Sequence, residues 1–112
     1  IRSLAADLGT ALGGGAHLRS LRRTSVGGFT LDDAGTIESP TLLPVSAAVQ
    51  HLESALVDED TAVLVGHGRV LPLEQLQVSG GGPWAVLGED GALLAVYESH
   101  PQGGKPTVVI PR

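Results

Sequence analysis

The stretch Trp84-Ala85-Val86-Leu87-Gly88-Glu89-Asp90-Gly91-Ala92-Leu93-Leu94-Ala95-Val96-Tyr97 decides how the second half of the chain folds. Two apolar runs flank Glu89-Asp90-Gly91. Asp-Gly accepts the positive φ angles of a tight hairpin turn, so the spacing predicts strands over 84–87 and 93–98. Working outward, residues 107–110 and 69–73 are also short and rich in Val and Leu. Gly80-Gly81-Gly82 and the proline-bounded segment 101–106 separate them as turns. Several short strands of this kind predict a compact barrel.

Upstream the character becomes helical. Asp58-Glu59-Asp60 places acids where a helix macrodipole favours them, and Ala62, Val63 and Val65 follow before Gly66 and Gly68. Pro44 suits the first turn of an earlier helix carrying Val45, Ala48, Val49 and Leu52. Residues 39–44 hold two prolines and no charge, and read as a linker. Before it, Thr30-Leu31-Asp32-Asp33 resembles a helix cap, with a short helix running to Ile37. Residues 18–26 read as a strand broken by Gly27-Gly28. At the N-terminus, Ile1, Leu4, Ala5, Leu8, Ala11 and Leu12 trace one face of an amphipathic helix that Gly13-Gly14-Gly15 ends. The fold class expected is α+β.

Composition narrows the functions. The 112 residues include no cysteine, which excludes disulfides and thiolate metal sites. About 42% are hydrophobic, but only Phe29, Trp84 and Tyr97 are aromatic. No apolar run reaches the roughly 18 residues of a membrane span. The chain has no methionine, and its first helix has no capping residue before it. Both features predict a piece of a longer protein.

The net charge of −5 is unevenly spread. Residues 1–30 carry Arg2, Arg19, Arg22 and Arg23 against Asp7 alone, a net of +3. Residues 31–98 carry eleven acids against Arg69. Polyanion contacts are therefore expected near the N-terminus, and the acidic middle argues against a chain that coats nucleic acid along its length.

No self-contained catalytic constellation is present. His17, His51, His67 and His100 lack zinc-ligand spacing and read as surface or cap residues. The glycine runs lack a phosphate-loop pattern and read as caps and loops. Trp84 could stack on a base, but in a chain with so few large side chains a core role is expected. Two features ask for more. Arg2 opposes the macrodipole in the first turn of a helix, which a carboxylate partner elsewhere would explain; so would a helix that begins further upstream. Arg19, Arg22 and Arg23 suit bidentate phosphate contacts, with Arg22 on one strand face and the other two sharing the opposite face. A solvated charged face would account for the run equally well.

The segments Ile1-Arg2-Ser3-Leu4, Asp7-Leu8-Gly9, Gly15-Ala16-His17-Leu18, Leu21-Arg22-Arg23-Thr24 and Phe29-Thr30-Leu31-Asp32-Asp33-Ala34 together resemble the bacterial tRNA pseudouridine-55 synthase family, the TruB type. Residues 45–112 resemble its small C-terminal PUA-like β-barrel in layout only: a helix, a turn at His67-Gly68-Arg69, a hairpin and a last strand. The resemblance implies that 1–38 end a catalytic domain, that 39–44 link it, and that 45–112 form a PUA-like RNA-binding domain. It implies a cytoplasmic enzyme, monomeric when intact, that needs no metal or organic cofactor and has no membrane association. Its partner is the T-arm of tRNA, where one uridine is flipped out and isomerised to pseudouridine.

By the same resemblance, Arg2 pairs with a catalytic aspartate, Leu21 lines the uracil pocket, and Arg22 and Arg23 lie near the RNA backbone, with Arg19 in the same basic run. The aspartate, the base-stacking tyrosine and a T-loop-opening histidine have no counterpart in this sequence. The chain is therefore expected to lack its N-terminal catalytic segment and to be inactive alone. Two other classes stand beside this one. A non-catalytic PUA-type RNA-binding module would pack the first helix on the β unit. An interaction domain with no RNA role would show no salt-dependent tRNA affinity.

Overall fold

The computed structural model describes residues 1–111. The chain forms two compact units, Ile1–Ala34 and a second that starts at Gly35.

In the first unit, α1 (Arg2–Ala11) is followed by irregular chain and then by a two-rung hairpin of β1 (Ser25–Val26) and β2 (Phe29–Thr30). Gly13 at φ +87° closes α1: its amide donates to Thr10 O, and the Gly14 amide reaches back to Gly9 O at 2.9 Å. This pair of bonds satisfies carbonyls that the helix end would otherwise leave open. The expected strand over 18–26 survives only as Ser25–Val26. A strand needs a ladder partner, and Gly27 at φ +55° turns the chain so that only Phe29 and Thr30 can supply one. The helix expected to reach Ile37 is a single 3-10 turn, Leu31–Asp33, whose Thr30 amide donates to the Asp33 carboxylate at 2.8 Å. Ala34 is already extended.

The second unit is built on a mixed sheet of β3 (Glu53–Leu56), β4 (Trp84–Leu87), β5 (Leu93–His100) and β6 (Gly103–Val109), in that spatial order. The β4–β5 and β5–β6 pairs are antiparallel hairpins, and β3 lies parallel to β4. The pairings run in a line from β3 to β6 and close no ring among the described residues. The α+β class holds. The turn at Asp90-Gly91 forms as expected: Gly91 sits at φ +78°, and the Asp90 carboxylate accepts the Ala92 amide at 3.0 Å.

A parallel pair needs a crossover, and here it contains α2 (Glu59–Gly66) and α3 (Leu73–Leu76). Asp58 caps α2 by accepting the Thr61 amide at 2.8 Å, and hydrogen bonding from the Thr61 side chain, then from this amide, holds its carboxyl below the usual carboxylate range. Gly68 at φ +69° ends it, with the Arg69 amide returning to Leu64 O. Two expectations need correction here. The helix expected over Val45 to Leu52 is a 3-10 turn, Val45–Val49, and the chain after it becomes β3, which the sequence reading missed. Residues 69–73 form one bridge, Leu71 to Gly104, and no strand. Pro72 then starts α3, because it has no amide to donate to a ladder and a φ already suited to a helix.

The core gathers Trp84, Tyr97, Leu76, Val65 and Val86, all fully buried. Trp84 and Tyr97 are register partners on β4 and β5, an aromatic pair at the centre of the sheet. Each finds a partner for its polar atom. The Tyr97 hydroxyl donates to Arg69 O at 2.7 Å, and the Trp84 Nε1 donates to Ser79 O at 3.3 Å. Burial raises the Tyr97 pKa. Pro106 is tolerated in β6 because β6 is an edge strand and the ladder shifts register there.

The end of α3 predicts a stabilising change. Gln77 is the one residue other than glycine with positive φ among those described, at +55°, and it completes the same capping pattern that glycine supplies after α1 and α2. A side chain in that conformation costs roughly 1 kcal/mol. Gln77→Gly is expected to raise the thermal midpoint by a few degrees, on the order of 0.5–1 kcal/mol. Calorimetry of the two proteins checks it, and an unchanged or lower midpoint contradicts it.

Candidate nucleic-acid interface

The expected site residues all lie in the first unit, and α1 positions the first of them. Arg2 is the first residue of the helix, with no carboxylate in its first turn. Arg2, Ala6 and Gly9 follow i, i+4, i+7 spacing and so share a face. The residues of the apolar stripe, Ile1, Leu4 and Leu8, are 67%, 60% and 55% exposed.

Gly9 is the buried residue of α1. What covers it is Gly15-Ala16, brought back by the turn at Gly13 and Gly14. A Cβ at Gly9 would stand 2.5 Å from Ala16 N and 2.6 Å from Ala16 Cβ. Two of the segments noted in the sequence, Asp7-Leu8-Gly9 and Gly15-Ala16-His17-Leu18, are thus in van der Waals contact.

Beyond that contact the chain from Ala16 to Arg23 and the start of α1 enclose an open concavity of about 780 Å³. Arg2, Arg19, Leu21 and Arg23 line it, with Ser3 and His17. Arg22 does not. The strand on which that separation was expected does not form over these residues, so no strand faces divide the three arginines. Leu21, which lines the same concavity, is 58% exposed. None of the four arginines is ion-paired among the described residues. Four free guanidiniums, three of them around one concavity, make a surface suited to phosphate.

Ser3 and Gly9 were read from the sequence only as parts of the family segments, and His17 also as a surface or cap residue, none with a site role. A signal for Gly9 was available, since a glycine inside an otherwise helix-favouring run costs about 1 kcal/mol and asks for a packing reason. Two of the other histidines have local roles. His67 caps α2, and His100 Nδ1 accepts the Gln102 amide at 3.2 Å. Among the described residues no cluster of His, Cys, Asp or Glu could hold a metal ion, and no helix is long and apolar enough to cross a membrane. Trp84, fully buried in the second unit, has no face free for a base. That unit carries nine acids against Arg69, Lys105 and Arg112, whereas the four arginines discussed above all fall in the first.

Residues 2–76 match the family described as tRNA pseudouridylate synthase B C-terminal domain. The chain is 34% identical over 112 residues to the tRNA pseudouridine synthase B of Halalkalibacterium halodurans, a match covering 90% of this chain and 36% of that protein. It is 40% identical over 114 residues to the Streptomyces griseus protein of the same name, covering 97% and 37%. With the Thiobacillus denitrificans protein of that name it shares 42% identity over 82 residues, covering 64% and 28%. The chain spans a little over a third of the length of the first two relatives. The family match extends over more than half of the sequence, and the chain belongs to the tRNA pseudouridylate synthase B C-terminal domain family.

Proposed function

We propose that this chain is part of a tRNA pseudouridine synthase, an isomerase that converts a T-loop uridine of tRNA to pseudouridine, and that its first unit supplies one wall of the active site. The observation that carries the reading is the convergence of Arg2, Arg19, Leu21 and Arg23 on one concavity. In the proposed reaction the uridine is flipped out of the loop, a carboxylate attacks, the glycosidic bond to nitrogen breaks, and the base rejoins its ribose through carbon. The base carbon that bonds the ribose gives up its proton and the released nitrogen takes one up, so the isomerisation needs no oxidant or reductant. The carboxylate comes from a segment outside these 112 residues. Arg2 pairs with it, which gives a cation at a helix start the partner it lacks here.

Leu21 offers the flipped uracil an apolar contact. Arg19 and Arg23 hold phosphates of the T-arm, and Arg22 contributes from outside the concavity. Residues 1–38 then end the catalytic domain, 39–44 link it, and 45–112 form the PUA-like domain of a monomeric cytoplasmic enzyme. The acidity of the second unit supports placing most of the phosphate contacts in the first.

Titration of unmodified tRNA onto the 112-residue chain at several salt concentrations tests this. Each lost phosphate contact flattens the slope of log K against log salt by about 0.7–0.9. Arg19→Ala with Arg23→Ala is expected to flatten it by up to about two such contacts, and Arg22→Ala by less. The chain forms no pseudouridine in the same mixtures. Equal affinity of the double variant and the parent at low salt would sink the phosphate assignment. Pseudouridine formed by this chain alone would sink the outside carboxylate. An alternative, a non-catalytic PUA-type RNA-binding module, predicts instead that tRNA affinity stays with the second unit when these arginines are removed.

A further inference from the structure

We infer that Gly9 is a positioning residue: its missing side chain sets how closely residues 16–23 approach α1, and so the separation of Arg2 from Leu21, Arg19 and Arg23 across the concavity. The assignment of those four residues to tRNA rests on the reading above; the positioning does not.

The argument starts from one helix face. Arg2, Ala6 and Gly9 lie along it, with Gly9 two turns, roughly 10 Å, from Arg2. The side chains shrink along that face from arginine through alanine to none. At the Gly9 end the returning chain touches the helix, and at the Arg2 end it stands off and leaves about 780 Å³. Ala6 lines the concavity between them. The two segments thus diverge from a contact at Gly9.

Any side chain at position 9 would be obstructed at that contact. A Cβ there meets Ala16 N at 2.5 Å, Ala16 Cβ at 2.6 Å and Gly15 C at 2.9 Å. Two of these three atoms are backbone and cannot turn aside as the tip of a side chain could. The chain after Gly15 must move away, and the residues it carries into the concavity move with it. Glycine is not needed here for its backbone angles, since Gly9 is helical and its φ is not positive. The requirement is for space alone.

The test uses the whole 112-residue chain, with Gly9→Ala, Ala16→Gly and the two combined, and reads Arg2 Nε–Hε and Leu21 methyl resonances by NMR. Gly9→Ala is expected to shift both sets, although neither residue adjoins position 9. It should leave the Trp84 indole resonance unchanged and weaken T-arm hairpin binding by about tenfold. Ala16→Gly removes the Cβ in the way and is expected to return part of the Arg2 and Leu21 shifts in the double variant. Shifts confined to residues near 9 and 16 overturn the inference. So does a loss of the first unit's resonances that Ala16→Gly does not relieve, which would make Gly9 a folding requirement only. If the parent chain binds no hairpin, the tRNA reading fails, while the resonances still decide the positioning.

Discussion

Gly103→Ala is expected to cost the second unit more than about 3 kcal/mol, a large share of the stability of a unit of this size. Two independent causes act at this position. Gly103 has φ +129°, a conformation open essentially to glycine alone and costing any other residue roughly 1–3 kcal/mol. The added Cβ would also run into Leu71 O, Pro72 Cα and Leu71 C, all backbone. This crossing is where Leu71 and Gly104 exchange two hydrogen bonds, at 3.0 and 2.8 Å, which tie the chain leaving α2 to β6. Pushing it apart would also disturb the neighbouring Gly104, whose own hydrogen lies against Leu76 and Tyr97. Urea titration followed by far-UV circular dichroism checks the expectation: the midpoint should fall steeply. Gly81→Ala is the matched control, in open space and at ordinary φ, and should be near neutral. Equal midpoints for the two variants would contradict the account.

What could be read from the sequence follows from where each signal resides. The β4–β5 hairpin, the start and end of α2 and the glycine cap of α1 were legible because each is fixed by residues within about a turn of one another: Asp90 with Gly91, Asp58 with Thr61, Gly13 with Thr10. Strand β3 was not. Glu53-Ser54-Ala55-Leu56 has little strand propensity, and only Ala55 of the four is buried. Its pairing with β4, thirty-one positions away, makes it a strand, and a parallel partner cannot be found from local pattern. Residues 18–24 erred the other way, since Thr24 and Val26 suit a strand but no ladder partner reaches the residues before Ser25. At the candidate site, the arginines and Arg2 were visible as charges that local structure did not satisfy. The contact of Gly9 with Gly15 and Ala16 was signalled only by a glycine inside a helical run, and local pattern does not name the segment that packs there.

The second large effect decides what the only tryptophan is for. If Trp84 offered a ring to RNA bases, its removal would weaken binding and leave the fold intact. The structure assigns it the opposite role. It is fully buried, lies in register with Tyr97, and has its ring 3.0 Å from where a Cβ on Gly82 would stand. Its indole N–H is spent on Ser79 O. Trp84→Ala should therefore cost about 3–5 kcal/mol through the cavity it leaves, a large share of what holds a unit of this size together. Trp84→Phe keeps most of the packing, loses the hydrogen bond, and should cost about 1–3 kcal/mol. Circular dichroism melts of the three proteins give that order. Acrylamide quenching of the parent supplies the complementary reading, because a core indole is poorly quenched and its emission does not change when tRNA is added. A Trp84→Ala protein that melts with the parent but binds tRNA more weakly would put the ring at the RNA surface and overturn the core assignment.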